Sequence, residues 1–154
     1  MTFKELNEKM GGGESESDWR RASGGGWIHK SAAVDNDKNI KDDAWVYGNA
    51  WVYGNAQVSG NARVSGNAQV SGNARVSGNA QVSGGKWMRS PLFIIGSRFS
   101  LTNAKPGYIQ IGCECHTFSE WRTLGPELAR RNNLTPEEIA EYTAYLDLFE
   151  KIGK

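Results

Sequence analysis

The sequence predicts a mainly β fold built around a column of short stacked strands, with helical segments before and after the column. Ten branched apolar residues recur at intervals of six, from Ile28 to Val82. From Ala44 onward the repeating unit is nearly invariant and reads Ala, any residue, Val, Ser or Tyr, Gly, Asn. A strict short period with small residues at fixed places indicates identical structural units that stack on one another.

Each unit of six predicts a short strand followed by a corner. Around Val64, the small or apolar Ala62, Val64 and Gly66 alternate with the polar Arg63 and Ser65, so the two sets face opposite sides. Glycine and asparagine tolerate the backbone of a sharp corner. Three units per coil place residues eighteen apart above one another. The predicted interior ladders are Ile28, Val46, Val64 and Val82; Val34, Val52, Val70 and Met88; and Ile40, Val58, Val76 and Ile94.

This repeat, over residues 28–87, resembles the hexapeptide-repeat, left-handed parallel β-helix family. The resemblance implies about three triangular coils and a homotrimer, and the trimers are able to pair into larger assemblies. Corner residues such as Asn49 and Asn67 should then stack as amide ladders.

The flanking segments give three predicted regions. Residues 1–26 are expected to form a flexible N-terminal arm with a short helix over residues 2–10, followed by two glycine triplets. Residues 27–88 form the β-helix, and residues 89–154 form a C-terminal α+β cap that covers its open strand edges. The cap is predicted to contain strands near 92–95, 99–101 and 108–113, a helix from about Phe118 to Arg131, and a helix from Pro136 to about Lys151.

A narrower resemblance concerns the cap. Gly96-Ser97-Arg98, Gly112-Cys113 and Trp121, placed after a β-helix, look like a group of bacteriophage and prophage proteins described as hexapeptide-repeat or polymer-forming. The resemblance implies a phage setting and a multimer, without an established activity. A protein of this kind would act in the host cytoplasm as an inhibitor of host defence, by binding or sequestering a host protein or an anionic, nucleotide-like signal molecule.

Composition limits the classes of partner. The net charge of +1 gives no general attraction to nucleic acid or to a membrane surface. No apolar run approaches the ~20 residues that span a bilayer, and the N-terminus has no apolar signal region. We therefore expect a cytoplasmic protein with two reduced cysteines.

Four aromatic residues occupy outward positions where later units carry Gln, Arg or Ser: Trp45, Tyr47, Trp51 and Tyr53. A dense group of outward aromatic side chains is typical of a contact surface. We expect a trimer interface or a seat for the N-terminal arm, with ligand stacking as the alternative.

Three residues of the cap form the predicted ligand-binding set. The guanidinium of Arg98 suits a phosphate or carboxylate, His116 adds a polar ring, and Trp121 offers a face for stacking. The alternative is a cap that only covers the column and packs against its neighbours.

No catalytic site, cofactor or metal site is predicted. Acyltransferases of the resembled family use a histidine base on a loop that interrupts the coils, whereas these repeats have no insertion and the only histidines are His29 and His116. On a strand, Cys113 and Cys115 would face away from His116, which leaves a metal ligand set incomplete. The sequence predicts a non-enzymatic oligomeric binding protein; the alternatives are a purely structural multimerisation module and a degenerate acyltransferase.

Overall fold

The computed structural model describes residues 1–153 and divides the chain into two compact units, Met1–Ser90 and Pro91–Lys154. The first unit begins with helix α1 (Phe3–Lys9) and continues as a β-solenoid of about three turns. Its strands are β1 Trp19–Arg21, β2 Trp27–His29, β3 Ala33–Val34, β4 Trp45–Val46, β5 Trp51–Val52, β6 Gln57–Val58, β7 Arg63–Val64, β8 Gln69–Val70, β9 Arg75–Val76, β10 Gln81–Val82 and β11 Lys86–Trp87.

The solenoid has three walls of parallel strands. The first wall stacks β2, β4, β7 and β10, and β1 adds an antiparallel strand beside β2. The second wall stacks β3, β5, β8 and β11. The third wall pairs β6 with β9, and Ile40 forms an isolated parallel bridge to Val58 of β6.

The eighteen-residue stacking rule is confirmed along most of the column. In the first wall each predicted ladder residue aligns with the next, as Ile28 with Val46 and Val64 with Val82. The repeat valines from Val46 to Val82 are at most 2% exposed, so their methyl groups fill the interior. Burial of such a ladder contributes about 1.5–3 kcal/mol per side chain.

Two predicted ladder members are wrong. Trp87, rather than Met88, aligns with Val70 and is buried, while Met88 is 74% exposed. The corner after Val82 is one residue shorter than the others, so the next inward position arrives one residue early. Ile94 does not continue the third ladder, because it pairs with Leu101 in a sheet of the second unit.

The corners explain the invariant glycine. Gly48 has a φ of 66°, and a Cβ atom added there would lie 2.9 Å from the backbone nitrogen of Gly66. Asp42 holds the same place in an earlier unit with a φ of 57°, and its carboxylate accepts a hydrogen bond from the Gly60 nitrogen at 3.0 Å. Asn49 Nδ2 donates to Asn67 Oδ1 at 3.5 Å, as the amide ladder predicts.

The N-terminal segment packs on the first wall. Thr2 and Glu5 form a capping box at the start of α1, and Leu6 of this helix is fully buried. Gly11, Gly12 and Gly13 follow the helix with positive φ angles. The sequence predicts a flexible arm here; its mobility in solution stays a prediction, and the structure describes it against the wall.

The second unit combines an antiparallel sheet with two helices. Its strands, β12 Phe93–Ile95, β13 Ser100–Lys105, β14 Tyr108–Ile111 and β15 Glu114–Thr117, pair in sequence order. Helices α2 (Phe118–Arg131) and α3 (Pro136–Ile152) agree with the predicted positions, and each begins at a threonine capping box. The buried core of this unit contains Leu101, Ile109, Trp121, Tyr142, Leu146 and Phe149. Within residues 1–153, no helix has both the length and the apolar content to cross a membrane.

Candidate functional site

An apolar groove of about 400 Å³ lies in the second unit among α2, α3 and the turn between β14 and β15. Apolar side chains from both helices and from β14 form most of its surface. Ile139 of α3 lines the groove and is 42% exposed, so the groove is open to solvent along this helix. The apolar lining includes Ile111, Trp121, Leu128, Leu134, Ile139 and Leu146.

Four polar side chains that line this groove already have hydrogen-bond partners. Trp121 Nε1 donates to a main-chain carbonyl of β14 at 2.9 Å, and the Tyr142 hydroxyl donates to the Phe99 carbonyl at 3.1 Å. Asn132 and Thr143 donate to carbonyls of their own helices. The groove therefore offers carbon atoms and ring faces to a ligand, and burial of apolar groups is the interaction it favours.

Charged groups at the rim are also paired. Arg122 Nη2 lies 2.5 Å from Asp147 Oδ1 and 2.8 Å from Glu150 Oε2, and both carboxylates raise the pKa of the Arg122 guanidinium. Cys113 is an exposed thiol at the rim. Burial raises the pKa of the partly buried Cys115, which makes its thiolate less available.

The structure brings two of the three predicted ligand-binding residues together. The rings of His116 and Trp121 meet edge to face with centroids 5.0 Å apart, and His116 Nε2 lies 3.0 Å from a carboxylate oxygen of Glu114. Arg98 instead contacts the start of α3, where Nη1 lies 3.5 Å from Glu138 Oε2. Of the three, Trp121 lines the groove. A shared ligand role for them stays a prediction.

The four outward aromatic residues divide between two walls. Trp45 is 2% exposed on the first wall, in an apolar cluster with Leu6 of α1, and Tyr47 packs against this cluster. Trp51 is 54% exposed on the second wall, where Tyr53 is half-buried. Their predicted contact roles stay predictions, and the two pairs have different surroundings.

Cationic side chains surround the aromatic residues of the first wall. Trp27 and Trp45 are aligned on neighbouring strands, and Arg63 follows in the same column. The guanidinium of Arg63 lies 4.5 Å from the centre of the Trp45 ring, and that of Arg21 lies 5.0 Å from the centre of the Trp27 ring. Both distances are within the range of cation–π attraction.

A polar groove of about 300 Å³ lies on the third wall. Its lining consists of Asn36, Asn39, Asn55, Gln57, Asn73 and Arg75. Sequence reasoning missed this groove, although two of its residues are corner asparagines eighteen positions apart. Across residues 1–153 there is no cluster of three or more His, Cys, Asp or Glu side chains arranged to hold a metal ion.

Comparison with known proteins adds one match. The family described as the YdcK β-solenoid repeat matches residues 56–70 and 68–84, which contain β6 to β10. No curated protein and no solved structure matches the chain. Together with the stacked walls, the family match shows that the centre of this chain is a repeat β-solenoid.

Proposed function

We propose that this protein is a non-enzymatic, self-associating β-solenoid that binds an apolar segment of a partner protein in the groove of its second unit. The observation that supports this proposal is the apolar groove, in which the polar lining side chains Trp121, Tyr142, Asn132 and Thr143 are already hydrogen-bonded. Its volume of about 400 Å³ is sufficient for a small group of apolar side chains. Two helices that border an apolar cleft suit the docking of a helix or an extended segment.

The sequence resemblance extends the proposal to the biological setting. It favours a left-handed coil, a homotrimer, and a phage-encoded protein in the host cytoplasm. The partner would then be a host protein, and an oligomer would present several equivalent grooves that sequester it.

A nucleotide-like ligand is less well supported in this groove. A phosphate group requires hydrogen-bond donors with positive charge. Arg122 is held by Asp147 and Glu150, and Arg98 is held by Glu138. A nucleotide would have to displace these carboxylates.

A purely structural, self-associating role is the second candidate. Trp51 belongs to β5 of the second wall and is 54% exposed. Met88 directly follows β11, the last strand of that wall, and is 74% exposed. Exposed apolar side chains on one flat wall favour contact with another copy. This role is compatible with a binding groove, so the experiment must test the groove itself.

The decisive experiment compares two substitutions on α3. Ile139→Glu places a charge in the groove, whereas Leu148→Glu changes a residue of similar exposure, 42% against 38%, that is not part of the groove lining. Binding of the neutral dye Nile red should weaken about tenfold in Ile139→Glu and remain unchanged in Leu148→Glu. Equal binding by the two variants, with both folded by circular dichroism, would contradict the proposal.

The partner is sought with a photo-crosslinker on the exposed thiol of Cys113, in a Cys115→Ser background. After exposure to a bacterial extract, we expect a protein adduct that is lost in Ile139→Glu and retained in Leu148→Glu. An adduct that survives Ile139→Glu would show that capture does not use the groove.

A further inference from the structure

We propose that the first wall carries a second binding site for a planar aromatic ligand with an anionic group, and that α1 closes this site in the present conformation. The site is the column formed by Trp27, Trp45 and Arg63, together with the guanidinium of Arg21. We call it the stacking platform. It belongs to the first unit, whereas the groove belongs to the second, and it suits another ligand class, so it does not rest on the proposed function.

An unsatisfied hydrogen-bond donor lies beneath α1. Trp45 is 2% exposed, and its Nε1 is buried without a hydrogen-bond partner in the described part of the chain. Buried indole N–H groups usually have an acceptor. The helix supplies apolar cover through Leu6 but no acceptor, so α1 is an incomplete occupant of the platform.

At Trp27 the N-terminal segment does supply an acceptor. The carbonyl oxygen of Met1 accepts hydrogen bonds from Arg21 Nη1 at 2.6 Å and from Trp27 Nε1 at 3.2 Å. This oxygen marks a position that a carboxylate or phosphate oxygen would fill with a stronger, charge-assisted bond. When α1 leaves, both donors become available to a ligand.

Positive charge surrounds the two indoles. The guanidinium of Arg63 lies over the Trp45 ring and that of Arg21 over the Trp27 ring. Lys9 Nζ lies 6.0 Å from the centre of the Trp45 ring. Flat indole faces beside guanidinium groups suit a planar ring that carries negative charge.

The cover is a short helix that a run of glycines joins to the solenoid. Helix α1 has seven residues, which is too short for an isolated helix to be stable. It is followed by Gly11, Gly12 and Gly13, whose φ angles are 94°, 83° and 89° and around which no heavy atom lies within 4 Å of an added Cβ. The nitrogens of Gly11 and Gly12 bond only to carbonyls of α1 itself, at 3.1 Å to Glu8 and 2.8 Å to Asn7. Three consecutive glycines with open space around them form a suitable hinge, so the helix can leave the platform without disturbing the walls.

The test uses adenosine 5′-monophosphate as the probe, with adenosine and ribose 5-phosphate as matched ligands that lack the anion or the ring. Leu6→Ala weakens the cover, and Phe3→Ala is a milder second variant, because the Phe3 ring packs on Trp27 with centroids 6.0 Å apart. A closed cover lowers the apparent affinity by the fraction of open molecules. We therefore expect adenosine 5′-monophosphate to bind Leu6→Ala about tenfold more tightly than the unaltered chain, with both matched ligands weaker.

Location is tested by substitutions in the Leu6→Ala background. Arg63→Gln and Arg21→Gln should each weaken binding, and the Trp45 indole N–H resonance should shift on ligand addition. Trp51→Leu, on the second wall, is the control and should leave binding unchanged. The proposal is overturned if neither cover variant gains affinity, if Trp51→Leu abolishes binding, or if the two arginine substitutions have no effect.

Discussion

The first and second walls of the solenoid carry the same aromatic pair in the same repeat frame, yet the pairs have opposite environments. Trp45 is 2% exposed under α1, whereas Trp51, six residues later, is 54% exposed. Both side chains point away from the interior, as the alternation of the repeat requires. The repeat therefore determines which face of a strand a residue occupies, and the segments outside the repeat determine whether that face meets solvent.

The largest expected effect comes from breaking the interior, which both walls share. Val64→Asp buries an unpaired charge in the middle of a ladder, and we expect it to cost several kcal/mol and to abolish folding of the first unit. Ser83→Asp, at an exposed position of the same wall, should change the unfolding free energy by less than about 0.5 kcal/mol. Urea unfolding followed by circular dichroism measures both. A folded Val64→Asp protein would contradict the eighteen-residue stacking.

The next effect tests the comparison directly. Trp45→Ala removes a buried side chain from contact with Leu6 and should lower the unfolding free energy by about 3 kcal/mol. Trp51→Ala removes an exposed side chain and should change it by less than about 0.5 kcal/mol. If the second wall mediates self-association, Trp51→Ala also lowers the mass seen by sedimentation equilibrium. Equal losses of stability in the two variants would mean that α1 contributes little to the burial of Trp45.

Much of the solenoid is predictable from the sequence because one physical rule repeats in every unit. The rule fails at Met88, where a corner shortened by one residue moves Trp87 inward. It also fails at Ile94, because the glycine and asparagine corners have already ended before this residue. An apolar residue at the right interval does not continue the repeat without such corners. A residue can therefore be assigned to an interior ladder only where both the six-residue period and the corner residues are present.

The candidate sites are less predictable for a different reason. The residue type of Trp121 marks it as a candidate, but most of the groove lining consists of ordinary apolar residues such as Leu128 and Ile139. In a sequence, such residues cannot be told apart from helix positions that pack in the core. The sequence predicts that Arg98 lies near His116 and Trp121, whereas the structure pairs it with Glu138, a partner forty residues away. Convergence of side chains depends on tertiary packing that no local pattern records.

A smaller effect is expected at the corners. Gly48→Ala places a Cβ atom 2.9 Å from the Gly66 nitrogen at a φ of 66°, and it should cost about 1–2 kcal/mol. Asp42→Gly, at the equivalent corner with a φ of 57°, relieves the backbone but loses the hydrogen bond to the Gly60 nitrogen, so its net effect should be near zero. Thermal unfolding of the two variants provides the measurement. A stabilised Gly48→Ala protein would show that neighbouring corners are free to move apart.

The smallest expected effect is a difference between the two walls in the pH at which their tryptophans respond. Hydrogen bonds from the Thr2 backbone and hydroxyl lower the pKa of Glu5 in the capping box of α1. A carboxylate with a lowered pKa stabilises the folded helix above its unfolded-state pKa, and this stabilisation is lost as the pH falls through the folded-state pKa. The lowered pKa of Asp43, which bonds the Met1 amino group, acts in the same direction. Acidification should therefore loosen α1 and shift the Trp45 indole resonance before that of Trp51 responds.

Glu5→Gln keeps an acceptor without the titration and should reduce the pH dependence of the Trp45 signal. If Trp45 and Trp51 respond at the same pH, the whole solenoid is opening, and the cover is not an independent element of the first wall.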